Sequence, residues 1–336
     1  MNSFGKNFRL HIFGESHGPS VGIVIDGCPA GLALTAADFL GDIERRKGGI
    51  QKGTTPRLED DRPIFLSGLF NGKTTGTPLT IIFENKNIRS ADYEKQRNIP
   101  RPGHADFVAT KKFGGNEDYR GGGHFSGRLT VCLVAAGIVA KKILATLQQD
   151  PSIICKASIL EIGGEKDLDK GLQNAIDAKD SIGGIVECVV NNLPIGLGEP
   201  FFDSVESLIS HVVFSIPAIK GIEFGAGFAA AKMKGSEHND ALENAAGKNF
   251  TNHAGGITGG LTNGNDLVFR VVVKPTSSTP AVQQTLNVET EAIEDFSVKG
   301  RHDLCIALRV PVVLEAVTAC VLVDLLISEQ KIKRVI

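Results

Sequence analysis

The chain has 336 residues, with 36 lysines and arginines against 38 aspartates and glutamates, which gives a formal net charge of −2. This balance argues against nonspecific binding to nucleic acid or anionic membranes, since both need a basic excess, so any anion site must be local. The 39 glycines exceed the usual share of about 7% without any repeat, which favours close backbone approach to a ligand.

The six cysteines form no CxxC pair and mostly lie in apolar runs, which indicates small buried residues in a reducing compartment. The N-terminus shows no signal-peptide pattern, and the longest uncharged apolar stretch, residues 131–140, is half of the roughly 20 residues that span a membrane. We therefore expect a cytoplasmic protein with neither a membrane nor a nucleic acid as partner.

Hydrophobic patterning predicts mixed helix and sheet. Runs of Ile and Val between turn signals predict strands at residues 10–13, 22–26, 79–84, 185–190, 219–224 and 267–273. Helices are predicted from a cap at Thr35 to about residue 47, and at 105–113, 128–147, 203–215 and 311–328. Two of these helices, 128–147 and 311–328, are nearly apolar all round, which predicts core helices. Each follows a polar motif, a pattern also expected of two related halves. No segment resembles a linker, so we predict one large domain over residues 1–336.

Long polar, glycine-rich loops separate these elements, at residues 48–55, 119–127, 252–265 and 275–282. Long loops in a compact chain are usually functional or disordered. Their mixture of His, Arg, Ser and Gly between strong core elements favours a function.

The segment 14–18, Gly-Glu-Ser-His-Gly, joins the first two predicted strands. It places a carboxylate, a hydroxyl and an imidazole on one tight turn, and histidine is the side chain that exchanges a proton near neutral pH. Five histidines lie in polar or glycine-rich segments, namely His17, His104, His124, His253 and His302. They favour a shared site, and because no HxH or HxxxH spacing occurs we predict no metal.

Residues 45–57, RRKGGIQKGTTPR, contain five basic side chains and no acid. The first three suit a helix C-terminus through the helix dipole, but Lys52 and Arg57 lie beyond the helix. Cations among glycines and threonines, with free backbone N–H groups, indicate a site for a phosphorylated or polycarboxylate ligand.

The segment 101–106, RPGHAD, opens a predicted helix with His104 near its positive end and Asp106 in its first turn. A helix N-terminus lowers the pKa of a histidine and a nearby carboxylate raises it, and the sequence leaves both effects open. Residues 119–128, YRGGGHFSGR, then lead into the apolar helix, where backbone amides can form an anion cradle. No GK[ST] follows, so this is not a Walker A loop.

Two other patterns are rejected as sites. Residues 225–230 match GxGxxA after a strand, but Gly235 interrupts the following helix, which argues against a Rossmann site. Ser16 and His17 lack a GxSxG elbow, so we predict no hydrolase triad. The polar segments 252–256, 274–278 and 301–303 instead supply cations, hydroxyls and imidazoles for a large charged ligand pair.

These segments, in this order, resemble the chorismate synthase family from Phe4 to about Leu326. The resemblance rests on GESHG, IDGCP, RPGHAD, DYRGGG, GLGEP at 196–200, NHAGGI, KPTSS and KGRHD. It implies an α+β fold, a layered sandwich of β-sheet and helix, and a homotetramer.

Members of this family convert 5-enolpyruvylshikimate 3-phosphate to chorismate by 1,4-anti-elimination of phosphate and a ring proton. They need reduced FMN although no net redox change occurs. The resemblance thus implies a lyase of the shikimate pathway, in aromatic amino-acid biosynthesis. The substrate's phosphate and two carboxylates match the local cations, and the flavin matches the hydroxyl and glycine loops.

The resemblance also implies roles for single residues. His17 would protonate the departing phosphate, His104 would supply a proton beside the reduced flavin, and Asp303 would assist proton removal through the flavin N5. Ser16 and Ser126 would complete a hydroxyl relay. Substrate anions would be held by Arg46, Lys52, Arg101 and Arg128. FMN would be held by His124, Phe125, Ser126, Pro217, Ala218, Gly259, Lys274, Pro275, Thr276, Ser277, Ser278 and Arg301.

The chain departs from the family in the glycine loop, where GGGRSSARET is common and this sequence reads GGGHFSGRLT. His124 stands in place of an arginine, and a histidine cannot reproduce a permanent bidentate cation, so a phosphate contact there would weaken as pH rises. Phe125 removes a hydroxyl. Further departures are Lys52, Gly127, Leu129 and Leu304.

Two alternatives stay open at this point. Some family members also oxidise NAD(P)H to reduce their flavin, but no nicotinamide site is recognisable in this sequence, so we expect an external source of reduced flavin. From a different class of function, the chain would be a binding protein that keeps flavin and anion pockets without turnover. The presence of His17, His104 and Asp303 argues against that function.

Overall fold

The computed structural model describes residues 2–49, 52–55, 59–87, 97–147, 151–298 and 302–336. Within these residues the strands are β1 (Ser3–Phe4), β2 (Arg9–Gly14), β3 (Ser20–Asp26), β4 (Ile64–Ser67), β5 (Leu69–Phe70), β6 (Lys73–Thr74), β7 (Leu79–Glu84), β8 (Ile154–Ile162), β9 (Gly184–Asn191), β10 (Ile219–Phe224), β11 (Ile257–Thr258), β12 (Leu261–Thr262), β13 (Leu267–Val273), β14 (Gln283–Leu286) and β15 (Ile293–Phe296). The α-helices are α1 (Leu40–Arg46), α2 (Asp106–Phe113), α3 (Thr130–Leu144), α4 (Leu168–Ala178), α5 (Val205–Val213), α6 (Gly235–His238) and α7 (Val310–Ser328). Short 3₁₀ segments are Ala36–Phe39, Arg120–Phe125, Gly127–Leu129, Phe201–Asp203, Gly227–Lys232 and Ile306–Arg309.

Two antiparallel sheets flank a layer of helices. One has the strand order β1-β2-β3-β7-β4 and the other β10-β13-β9-β8. Along β9 and β13 buried residues alternate with less buried ones, because successive side chains of a strand point to opposite faces. Phe269 of β13 pairs with Cys188 of β9, and both are fully buried. One face of this sheet therefore belongs to the core.

The apolar helices α3 and α7 join the two sheets. Helix α3 packs on β3 and β7, α7 packs on β8 and β9, and the two helices pack against each other. They approach closely at Gly137, where a Cβ atom would lie 2.2 Å from the Cβ of Ala316. Helix α1 packs against both and carries basic residues at its C-terminal end. This is the α+β sheet-and-helix sandwich that the family resemblance implied, and it confirms that expectation.

The longest helical stretch has the length and composition of a membrane span. Residues Ile306–Ser328 are apolar enough to cross a bilayer, but 89% of the apolar window is buried inside the protein. The helix also contains Glu315 and Asp324, both buried. Such burial is typical of the core helix of a soluble protein.

The structure confirms the predicted strands and helices to within a few residues at each end. Patterning missed β8, α4 and the hairpin of β14 and β15, together with the short elements β1, β4, β5, β6, β11, β12 and α6. Strand β8 is a half-exposed edge strand that interleaves Lys156 and Glu161 among apolar residues, so its signal is weak. Helix α4 has a local signal that was overlooked, because Asp167 caps it by accepting from the Lys170 N–H and Leu168, Leu172 and Ile176 recur at helical spacing. The idea of two related halves stays a prediction.

Candidate functional site

A cavity of about 810 Å³ lies where the glycine-rich loops meet the first sheet and the starts of α3 and α7. Most of the residues predicted from sequence line it, namely Arg46, Arg101, His104, His124, Phe125, Ser126, Arg128, Pro217, Ala218, Lys274, Thr276, Ser277, Ser278 and Asp303. They come from six separate stretches of the chain that only the fold brings together.

Ser16 and His17 lie just beneath the cavity surface. Both are buried, and the Ser16 hydroxyl lies 3.2 Å from His17 Nδ1 and donates to the Gly121 carbonyl at 3.1 Å. Gly121 lines the cavity and packs on the imidazole, since a Cβ at this position would lie 2.1 Å from His17 Cε1. The glycine, at φ +61°, therefore allows the loop to lie directly against the histidine.

The loop 121–128 is tied to the first sheet. His124 Nδ1 lies 2.8 Å from the Gly14 carbonyl, which can only accept, so Nδ1 carries the proton and Nε2 is the acceptor of the neutral ring. Ser126 caps the turn that follows by accepting from the Arg128 backbone N–H at 3.2 Å. Phe125 is 42% exposed and packs against Phe113, so part of its ring stays available at the cavity surface.

Asp106 organises the RPGHAD segment. Its carboxylate accepts from Arg101 Nε at 2.7 Å and Nη2 at 2.8 Å, and lies 2.5 Å from His104 Nδ1. Burial raises the pKa of Asp106, but the hydrogen bonds from Arg101 and His104 outweigh it and hold the pKa far below its usual value. Arg101 Nη2 also lies 3.0 Å from His104 Nδ1, yet an ionised carboxylate at 2.5 Å requires a proton on Nδ1. The tautomer thus leaves Nε2 as the unprotonated nitrogen of the neutral ring.

Arg46 and Arg128 share one buried carboxylate, that of Asp61. Arg46 Nη2 donates to Asp61 Oδ2 at 2.7 Å, and Arg128 Nη1 donates to Asp61 Oδ1. Burial and the nearby Arg309 lower the pKa of Arg46 to about 10, against the opposing effect of Asp61. Burial raises the pKa of Asp61, but the two guanidinium groups hold it below its usual value.

Asp303 is fixed from two sides. Its carboxylate accepts from the Thr55 backbone N–H at 2.9 Å and from Arg309 Nη1 at 3.0 Å. Arg309 Nε also donates to the Arg46 carbonyl at 2.7 Å. The Arg309–Asp303 pair is therefore connected to the Arg46–Asp61 pair through the Arg46 main chain.

The KPTSS loop presents a cation and hydroxyls. Lys274 Nζ donates to Ser277 Oγ at 2.7 Å, and Ser277 Oγ donates to the Gly103 carbonyl at 2.7 Å. Burial, with nearby Lys220, lowers the pKa of Lys274. The hydroxyl of Thr276 is buried and has no hydrogen-bond partner among the described residues.

Several predicted residues lie elsewhere. Lys52 is exposed and donates to Gln173 Oε1 at 2.7 Å, and Gly259 lies in the exposed turn between β11 and β12. Pro275 does not line the cavity, and Arg301 lies outside the described residues. Their binding roles stay predictions.

Of the remaining loop histidines, His302 lines the cavity and His253 does not. No cluster of His, Cys, Asp or Glu in the described part of the chain has the geometry of a metal site.

Sequence reasoning gave no role to several polar residues that line the cavity, among them Glu59, Asp61, Thr130 and Arg309. It also missed an apolar wall, formed by Phe4, Leu10, Ile12, Leu133, Val212 and Phe214. Asp61 follows the basic loop in sequence, but its role depends on contacts with Arg46 and Arg128 that the sequence does not reveal. The apolar wall comes from side chains that look like ordinary core positions.

Comparison with known proteins gives consistent similarities. A family model described as chorismate synthase matches residues 8–327. A chorismate synthase of Chitinophaga pinensis is 69% identical over 335 residues, covering 100% of this chain and 99% of that protein. One of Korarchaeum cryptofilum is 44% identical and covers 96% of each chain. A solved structure described as a crystal structure of chorismate synthase has a TM-score of 0.74 at 25% identity, covering 97% of this chain and 93% of that one.

Proposed function

The chain belongs to the chorismate synthase family, and on that basis we propose that it is a lyase converting 5-enolpyruvylshikimate 3-phosphate to chorismate. The reaction is a 1,4-anti-elimination of phosphate, with reduced FMN as cofactor, in the shikimate pathway of aromatic amino-acid biosynthesis. The observation that carries the proposal is the single cavity that gathers cations, histidines and an aspartate on an otherwise near-neutral protein.

The charge of the cavity suits the substrate. Arg46, Arg101, Arg128 and Lys274 line a space whose ligand would bring one phosphate and two carboxylates. Guanidinium groups match such anions through paired N–H donors. Held in place before the reaction, they also stabilise the charge that develops on departing phosphate. Each contact would therefore serve both binding and rate.

The residues present fit a flavin nucleotide. The buried hydroxyl of Thr276 has no partner among the described residues, and it lies beside the cation Lys274 and the hydroxyls of Ser277 and Ser278. Together with Pro217 they would hold the cofactor, while the apolar wall offers a surface for the flavin ring. Bound reduced FMN would supply an electron-rich ring and a nitrogen that accepts a proton.

The chain's own acid–base groups are arranged around this space. Asp106 holds His104 with Nδ1 protonated, so that Nε2 is the nitrogen that can exchange a proton. Asp303 is held by Thr55 and Arg309 at the cavity wall, where its carboxylate can accept a proton. Each such group contributes roughly 10²- to 10⁴-fold in rate.

We assign to His17 the donation of a proton to the leaving phosphate. Its ring touches Ser16 and lies against Gly121, which forms part of the cavity wall. The proposal therefore includes a small shift of the Gly121 loop, or a relay through the Ser16 and Ser126 hydroxyls, that gives the imidazole access to the substrate.

His124 in the glycine loop limits the pH range in which that loop can bind a phosphate. His124 carries its proton on Nδ1 through the Gly14 carbonyl, so its Nε2 can donate to a phosphate only when the ring is charged. Any phosphate contact there weakens as pH rises, unlike that of an arginine.

We place the enzyme in the cytoplasm as a homotetramer that takes reduced flavin from an external source. Phe201 is 86% exposed, Phe202 93% and Phe228 83%, and large exposed aromatic side chains are typical of protein interfaces. These side chains support contact with further copies of the chain.

The test is an anaerobic mixture of protein, 5-enolpyruvylshikimate 3-phosphate and chemically reduced FMN, with chorismate and phosphate followed together. We expect both products in equal amounts, and neither when FMN is left oxidised. Replacing the chemical reductant by NADPH is expected to give no product. Binding of flavin and substrate without either product would overturn the proposal and identify the chain as a binding protein.

A further inference from the structure

Asp61 is a buried carboxylate between two cavity-lining arginines. Its side chain is fully buried, with Arg46 bound to one oxygen and Arg128 to the other. The side chains of both arginines are at most 4% exposed, yet both line the cavity. Asp61 also lines the cavity, but both of its carboxylate oxygens are bound by the two arginines, so its charge is directed at them rather than at a ligand.

The cluster is incomplete at Arg46, a residue that lines the cavity. Arg46 also donates from Nη1 to Thr130 Oγ1 at 3.2 Å, but its buried Nε has no hydrogen-bond partner among the described residues. A buried guanidinium N–H without an acceptor is costly, so such a donor beside a cavity indicates a ligand atom that will accept from it. Arg128 differs in this respect, since its Nε donates to Asn85 Oδ1 at 2.9 Å.

From this geometry we propose that Asp61 is a positioning residue, which holds Arg46 and Arg128 as one rigid anion-binding pair for the substrate. Two guanidinium groups this close repel each other, and a shared carboxylate both offsets that repulsion and fixes their planes. The inference rests on the proposed function, because it assigns the pair to a substrate anion of that reaction.

The decisive variant is Asp61→Asn. Asp61 has φ +50°, a conformation that asparagine tolerates, and the side-chain volume is kept. The amide oxygen can accept from one arginine, but the amide N–H groups point at the other. One guanidinium therefore loses the hydrogen bond that orients it. The cavity meanwhile becomes more positive by one charge.

The loss of guanidinium orientation and the gain of positive charge should affect two different measurements. We expect kcat/KM for 5-enolpyruvylshikimate 3-phosphate to fall by about 10²-fold, as for other small misplacements of binding groups. Binding of inorganic phosphate, measured by calorimetry, should stay within about threefold of wild type or become tighter, because it responds mainly to charge.

The matched control is Glu315→Gln, which removes another buried carboxylate shared by two cations but outside the cavity lining. It should leave both measurements unchanged per folded molecule. The proposal is overturned if folded Asp61→Asn keeps wild-type kcat/KM, if phosphate binding is lost in parallel with activity, or if the control loses as much activity.

Two further measurements keep the proposal testable. If Asp61→Asn does not fold, Thr130→Val removes the other acceptor of Arg46 and should lower kcat/KM in the same direction, by about 10-fold; wild-type kinetics would count against the proposal. If wild-type protein makes no chorismate, the proposed function fails by itself. The role of Asp61 is then tested by the ratio of two affinities, that for the substrate and that for inorganic phosphate. Asp61→Asn should lower this ratio, and an unchanged ratio would contradict the proposal.

Discussion

Helix α1 ends in two consecutive arginines that enter two different charge clusters. Arg46 joins Asp61 and Arg128 beside the cavity, whereas Arg45 joins Glu315 and Lys141. In each cluster a buried carboxylate is shared by two cations. Composition and charge are nearly the same, so the difference between them must come from what surrounds each one.

The Glu315 cluster is closed. Arg45 donates to both carboxylate oxygens at 2.7 and 2.8 Å, Lys141 adds a bond at 2.9 Å, and the Ala157 backbone N–H donates at 3.1 Å. None of these residues lines the cavity. The Asp61 cluster instead leaves Arg46 Nε without a partner among the described residues. Completeness of hydrogen bonding, rather than charge, therefore separates a structural cluster from a ligand site.

The largest effect is expected at Glu315. Glu315→Gln removes the carboxylate that Arg45 and Lys141 share and leaves them Asp42 as an acidic partner. Breaking a buried ion pair from one side costs about 3–5 kcal/mol of stability, and because Arg45 is 46% exposed we expect a loss at the low end of that range. Urea unfolding at pH 7 should show this loss, while kcat/KM per folded molecule stays unchanged. A stable variant, or one with reduced kcat/KM, would remove the distinction between the clusters.

The two consecutive arginines allow a direct test with the same substitution. Arg46→Lys keeps the charge but loses the planar fork, and we expect kcat/KM to fall by about 10²- to 10³-fold, as when one preorganised donor is lost. Arg45→Lys should stay within about twofold of wild type. Equal losses in steady-state assays of the two variants would mean that the position on α1 does not decide the role.

Asp106 extends the comparison to a carboxylate that holds a histidine as well as an arginine. Asp106→Asn weakens the constraint on His104 Nδ1, so a second tautomer becomes accessible and kcat should fall by about 10²-fold. Because the substrate arginines remain, KM should change less than kcat, and the pH profile of kcat should shift. An unchanged profile with a raised KM would instead make Asp106 only a partner of Arg101.

Much of this architecture could be predicted because its signals are local. Apolar patterning locates β7, β10 and β13 to the residue, and the glycine loops mark the cavity. Gly121 illustrates why glycine was informative: its backbone lies against His17, where a Cβ would clash.

Residue type and spacing alone could not separate Arg45 from Arg46, because both suit a helix C-terminus and neither states which side of α1 faces the cavity. Only the family resemblance assigned a substrate anion to Arg46. Asp61 and Arg309 were missed for a similar reason, since their partners are distant in sequence. Lys52 shows the converse, because the composition of its loop predicts anion binding whereas its side chain reaches Gln173 on the surface.

Acid unfolding provides the smallest and most specific test of the comparison. Burial raises the pKa of Glu315, but Arg45 and Lys141 outweigh it and hold the pKa below the usual 4.5. The ionised pair therefore stabilises the fold at pH above about 4.5, and this contribution is lost as pH falls through the lowered pKa, by about 1.4 kcal/mol per pH unit. The stability gap between wild type and Glu315→Gln should be constant from pH 7 to 5 and narrow below that. For Asp61, whose pKa lies below the usual 3.8, the gap to Asp61→Asn should begin to narrow only at lower pH. Urea unfolding at pH 7, 5, 4 and 3 measures both stability gaps. If the gap between wild type and Glu315→Gln persists undiminished to pH 3, the charge of Glu315 contributes nothing to stability. Packing alone would then distinguish the two clusters.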